Sequence, residues 1–253
     1  MTDALPGRTV VVAGSTSAAG VAVVSALSKA GARVAAVDIL EDRVRELAAA
    51  YDNVTGYTCN LADMDSVTEL AASVRGELGP VDGLIHLVGG WRGGKGIKGQ
   101  SDDDWNFLNI GIMTTLRNTS RAFLDDLAQS PVGRLAIVSA ESVASPTADN
   151  AAYAAVKSAA EAWTLAVADG FEKESEGPLT SAGLVFVVKA LLDERMRAAQ
   201  PERKFPGFTH VDVLAEAVLD IFATDAGELN GRRIRLGASS KAKADEAIAG
   251  AQR

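Results

Sequence analysis

Tyr153 and Lys157 stand four residues apart in the stretch Tyr-Ala-Ala-Val-Lys, near the start of a run with helical period. On a helix that spacing puts both side chains on one face. A free tyrosine has a pKa near ~10 and is a poor acid or base at neutral pH. An ammonium a few ångströms away favours the phenolate, so the pair forms a tunable group that gives a proton to a carbonyl or takes one from an alcohol. Metal chemistry is not expected. Cys59 is the only cysteine, and His86 and His210 lie far apart and read as structural or surface residues.

A second group of residues sits far upstream. Ala13-Gly14-Ser15-Thr16-Ser17-Ala18-Ala19-Gly20 links a short β-branched run to a helical one. A strand, glycine turn and helix in that order aim backbone N–H groups and the positive helix end at a diphosphate. The usual middle glycine is Ala18 here, which weakens the motif. Asp38 strengthens it by closing the second strand, where a carboxylate accepts hydrogen bonds from the ribose hydroxyls of a dinucleotide. The same charge repels a 2′-phosphate, so NAD is favoured over NADP. The other reading of Asp38 is a helix cap before Leu40. Asn60 and Leu61, after the third strand, fall where an adenine contact would lie. Val88, Gly89 and Gly90 end the fourth strand, beside the expected cofactor ribose.

The elements that must carry these residues alternate. Short apolar runs at Thr9–Val12, Val34–Val37, Val54–Thr58, Leu84–Val88, Leu135–Val138, Leu184–Val188 and Arg233–Leu236 read as strands. Between them, Ala18–Ala30, Arg43–Tyr51, Ser66–Leu78, Trp105–Leu127, Ala151–Phe171 and Val211–Phe222 have helical period. Continuous apolar strands are buried on both faces, and steady alternation with helices makes a parallel sheet. The expected fold is α/β: one doubly wound, seven-stranded parallel sheet with helices on both faces. It occupies residues 1–237, with 238–253 as a flexible tail. Ser101 is placed to cap the helix that contains Trp105.

Two irregular stretches flank the site. Gly89–Gly99 has six glycines in eleven residues and carries Arg92, Lys95 and Lys98. It reads either as a positively charged flap over an anionic or ring substrate or as a solvated loop. Trp91 within it is the candidate ring-stacking residue. Arg195–Phe208 is the candidate opposite lid, again leaning positive. Trp105 and Trp163 read as packing residues.

The 253 residues carry a net charge of −8, with 47% hydrophobic and 23% charged residues. That balance is globular, and the acidic surface argues against nucleic-acid or membrane-surface partners. No apolar run reaches membrane-span length, and the first residues lack a signal-peptide pattern, so a cytoplasmic location is expected.

In its order of Gly14…Gly20, Asp38, Asn109, Tyr153 and Lys157, the chain resembles the short-chain dehydrogenase/reductase family along essentially its whole length. That resemblance implies a Rossmann fold, a nicotinamide cofactor and a dimer or tetramer formed through the long middle helices. It implies that Asn109 bends its helix and holds a water in a proton relay behind Lys157, and that Lys157 also holds the nicotinamide ribose. The family's carbonyl-polarising serine falls at Ala140; Ser139 and Ser142 are the neighbouring substitutes. The usual Asn-Asn-Ala-Gly reads His86-Leu87-Val88-Gly89, the usual Pro-Gly reads Val188-Lys189, and a threonine expected near Asp193 is missing. The Gly89-Gly90-Trp91-Arg92-Gly93-Gly94 segment is similar to a loop of dihydropteridine reductases, which also have alanine at the serine position. The resemblance therefore implies a small carbonyl, alcohol or quinonoid substrate, with a non-catalytic nucleotide-binding protein as the alternative.

Overall fold

Alternating burial along each strand sorts the core into two layers. The structure, a computed structural model, describes residues 5–237. Val10 and Val12 of β1 (Thr9–Ala13) join one hydrophobic cluster, while Val11 and Ala13 join the other. The same split runs through β2 (Arg33–Asp38) and β6 (Ala182–Val188). With β3 (Val54–Thr58), β4 (Gly83–His86), β5 (Arg134–Ala140) and β9 (Arg233–Arg235) they form a seven-stranded sheet in the order β3-β2-β1-β4-β5-β6-β9. Every pairing is parallel. The short strands β7 (Leu191–Leu192) and β8 (Thr209–His210) pair separately.

Helices α1 (Ala18–Lys29), α2 (Glu41–Ala49) and α8 (Val211–Ala223) cover the first face. The second is covered by α3 (Met64–Leu78), α5 (Thr115–Gln129) and α6 (Ala151–Glu174). Side-chain caps fix several starts: Ser17 accepts from Gly20 N, Asp63 from Asp65 N, and Ser101 from Asp104 N.

The middle helix expected at Trp105–Leu127 is interrupted. α4 (Asp102–Leu108) runs into a π-helical segment, Asn109–Thr114, before α5 begins. A π-turn admits one extra residue and shifts the helix face. The π-segment begins at Asn109. The fourth strand ends at His86 rather than Val88, and the last ends at Arg235 rather than Leu236. Two short helices, α7 (Glu194–Ala199) and α9 (Ala226–Leu229), complete the described chain. The expected tail, 238–253, lies outside the described residues. Among the described residues no helix is long and apolar enough to cross a membrane, and no metal-holding cluster of His, Cys, Asp or Glu occurs.

Candidate active site

The strand order reverses direction between β1 and β4, and the crevice at such a switch point is where α/β sheets take ligands. The carboxyl ends of the strands deliver the site residues there. Gly14 leaves β1 with φ +82°, and a Cβ on it would lie 2.8 Å from Val88 N. A Cβ on Gly20 would lie 2.3 Å from Gly14 O. Only glycine allows the turn to press against β4 and α1 to press against the turn. Ala18 opens α1, and Ala19 beside it is buried. Ser15 is fully buried, and its hydroxyl has no hydrogen-bond partner among the described residues.

A cavity of about 650 Å³ lies over this turn. Its walls include Gly14, Thr16, Ser17, Asp38, Asn60 and Leu61. Asp38 does not cap α2. Its Oδ2 accepts from Thr16 N at 3.1 Å and Thr16 Oγ1 at 2.8 Å, and its Oδ1 accepts from Ile39 N. These bonds aim the carboxylate and leave acceptor capacity for a ligand hydroxyl. Asn60 folds back to accept from Ala62 N, and the Leu61 carbonyl accepts from Asn118. Arg43, exposed near the start of α2, shares this cavity; its place five residues after Asp38 was the available signal.

A second cavity, of about 420 Å³, adjoins the first across Leu87, Val88 and Gly89. It brings together Tyr153, Lys157, Ala140, Ser142, Trp91 and Gly90. Asn150, Lys189 and Leu191 line it as well and were not foreseen as site residues. The Lys157 ammonium lies 5.9 Å from the Tyr153 ring centre and donates to Val138 O at 2.7 Å. Burial draws the Lys157 pKa down to about 8, with Glu161 opposing the shift. Burial also raises the Tyr153 pKa. This corrects the expected direction of the shift: burial raises the value that the ammonium was expected to lower.

Ser139 is corrected as well. Its hydroxyl donates to Glu161 Oε1 at 2.5 Å, and Glu161 is held by Arg233 at 2.7 Å. Ser139 and Ala140 both line the cavity, but the Ser139 hydroxyl is committed to Glu161 on α6 and Ala140 has none to offer. Ser142, partly buried, is the hydroxyl that remains on that wall.

His86 is buried, and its Nε2 lies 3.1 Å from Thr115 Oγ1. Thr115 gives its own proton to Gly111 O in the π-turn, so the histidine Nε2–H is the donor between them. Burial, reinforced by the Lys157 charge, pushes the His86 pKa down to about 3.

The glycine loop is not a free flap. Asp149 holds it by accepting from Gly94 N at its carbonyl and from Gly96 N at Oδ1, while Gln100 ties it to Ala148, Asp149 and Ala152. Arg92 stacks on Phe107 at 3.8 Å and pairs with Asp104 at 3.2 Å. Trp91 stands 67% exposed at the cavity rim. Trp163 packs and donates to Ser120, but Trp105 remains 44% exposed, contrary to its reading as a packing residue. Where a threonine was expected, Asp193 caps α7 by accepting from Met196 N.

Comparison with known proteins agrees with this architecture. Residues 8–175 match the family model described as short chain dehydrogenase. The chain is 29% identical over 164 residues to the 2,3-dihydro-2,3-dihydroxybenzoate dehydrogenase of Bacillus subtilis (strain 168), covering 63% of this chain and 62% of that relative. The match thus spans less than two-thirds of that relative's length. Among solved structures, NAD+-bound xylitol dehydrogenase superposes with a TM-score of 0.77 at 15% identity, covering 93% of this chain and 99% of that one. ElxO with NADP bound gives 0.79 at 15% identity, covering 90% and 96%. At those identities the likeness is one of fold. With the family match covering well over half of its length, the chain belongs to the short-chain dehydrogenase/reductase family.

Proposed function

We propose that the chain is an NAD(P)(H)-dependent oxidoreductase acting on a small carbonyl or alcohol, or on a quinonoid ring of dihydropteridine type. Tyr153 is the proton donor and acceptor. The observation that carries this reading is a pair of adjoining cavities that share Leu87, Val88 and Gly89, with Asp38 and the Gly14 turn in one and Tyr153 and Lys157 in the other. The glycine cradle and the oriented Asp38 carboxylate fit a dinucleotide. When bound, the nicotinamide supplies or accepts hydride.

The chain's own residues do the rest. Asp38 accepts ribose hydroxyls and disfavours a 2′-phosphate, so NAD is the preferred cofactor. The turn at residues 14–20 cradles the diphosphate, with the N–H groups of Ala18 and Ala19 at the start of α1 as its donors, and Asn60 and Leu61 border the adenine. Lys157 uses one N–H on Val138 O, which leaves two for the nicotinamide ribose and the Tyr153 oxygen. Burial keeps the Tyr153 proton in place until a carbonyl oxygen accepts it. Asn109, at the mouth of the π-turn, is assigned the relay water behind Lys157. Ser142 is the carbonyl's remaining hydroxyl partner, Ala140 leaves the space above it open, and Trp91 stacks on a ring.

The test pairs binding with turnover. Tyr153→Phe loses at least ~100-fold in turnover while its NADH affinity stays within about twofold. Full activity in that variant sinks the assignment. NADPH binds at least about tenfold more weakly than NADH, and a preference for NADPH overturns the role of Asp38. One set of observations favours a second reading, a nicotinamide-holding protein without efficient chemistry: Ala140, Lys189 and Asp193 all depart from the family pattern. Its mark is tight NADH binding with no turnover of carbonyls or quinonoid dihydropterin.

A further inference from the structure

The cavity around Tyr153 is electrically unlike the rest of the chain. The protein carries 33 acidic residues against 25 basic ones. Yet the lining holds two lysines, Lys157 and Lys189, and no carboxylate. The acids near it in the fold are turned elsewhere. Glu141 pairs with Arg235, Glu161 with Arg233 and Ser139, Asp149 with Gly96 N, and Asp193 with Met196 N. The cations that the sequence offered for an anion do not fill the role. Arg92 is committed to Asp104 and Phe107, and neither Lys95 nor Lys98 reaches the lining.

Lys189 is different. It follows β6 directly, where the chain turns from the sheet toward β7, and shares the cavity lining with Trp91. Its Nζ donates to a neutral acceptor, Pro206 O, at 2.8 Å. Among the described residues it has no acidic partner within ion-pair distance. An ammonium has three N–H donors, so two remain after that bond. The Pro206 carbonyl steadies the side chain without cancelling its charge.

We infer that Lys189 is a specificity-determining residue that binds a carboxylate on the substrate, while the reacting carbon faces Tyr153. This rests on the reading that the Tyr153 cavity is the reaction site. Lys189 is exposed at the cavity wall, and a charge-assisted bond there discriminates against a neutral analogue by about 10-fold. The substrate class is thereby narrowed to small carboxylate-bearing carbonyl, alcohol or cyclic compounds.

The experiment measures binding first, so that it does not depend on having the natural substrate. Benzoate and benzamide are titrated calorimetrically into the NADH-saturated full chain. Benzoate binds about tenfold more tightly than benzamide. Lys189→Gln erases that difference and Lys189→Arg keeps it, while NADH affinity is retained in both. Matched keto acids and their amides then show the same preference in kcat/KM, and Lys189→Gln removes it. Equal binding of benzoate and benzamide by the unaltered chain overturns the inference. So does a Lys189→Gln variant that weakens NADH and both probes alike, because Lys189 then serves the cofactor or the fold. Failure of NADH to bind at all overturns the proposed function itself, a result distinct from a NADH complex indifferent to benzoate.

Discussion

Two buried bases, Lys157 and His86, share one corner of the cavity, and their charges are set against each other. Lys157 keeps its proton at neutral pH because its pKa stays near 8, and the same cation helps keep His86 neutral. The histidine's value of about 3 in the fold lies below the ordinary 6.5 of an unfolded chain. Between those two values the unfolded chain holds the extra proton, so stability rises with pH across that window and is lost as the medium is acidified. At pH 5 this amounts to about 2 kcal/mol, taking ~1.4 kcal/mol for each unit below 6.5. Urea unfolding at pH 7 and pH 5 checks it: the unaltered chain loses about 2 kcal/mol more than His86→Asn does. Equal losses would show that the imidazole is not the acid-sensitive group.

At the scale of elements, the glycine turn sets how closely β1, β4 and α1 approach. Gly20→Ala forces a methyl group onto the Gly14 carbonyl, an overpacking that costs about 1–3 kcal/mol. For a chain of this size the melting temperature falls by roughly 3–10 °C, and NADH stabilisation is lost with it. A scan with and without NADH reads both effects; an unchanged NADH shift would contradict the placement of the diphosphate. Much of this level was legible in the sequence. Buried parallel strands are unbroken apolar runs, and glycine turns and Asp38 carry their meaning within a few residues. The π-turn was not legible from period alone, because Asn109–Thr114 contains no proline to mark a break. The pinned loop escaped because its clasp, Asp149, lies more than fifty residues away. The commitment of Ser139 was not legible because its partner, Glu161, lies 22 residues further on.

At the scale of the molecule, the exposed apolar side chains are unevenly spread. Ile110, 49% exposed, opens onto the cofactor cavity, but Trp105 stands 44% exposed on α4 and lines neither cavity of the site. It lies in the middle helical region that the family resemblance assigns to subunit contact, and a large exposed ring there suits burial by a second copy. The expected assembly is a homodimer or homotetramer. Trp105→Asp shifts it toward monomer in sedimentation velocity at micromolar concentration; a monomeric unaltered chain would remove the basis for that contact.

The Glu161 carboxylate, one helical turn beyond Lys157, has a further meaning for how the molecule is assembled. It is 6% exposed, and its cationic neighbour, Arg233, belongs to the edge strand at the far end of the described chain. Breaking the pair leaves the buried carboxylate with only the Ser139 hydroxyl and costs up to about 3 kcal/mol, the lower end for a buried pair because Arg233 is itself 39% exposed. The helix that carries Tyr153 and Lys157 thus needs the last described strand to complete its packing, and a chain cut short before residue 233 loses more than an edge.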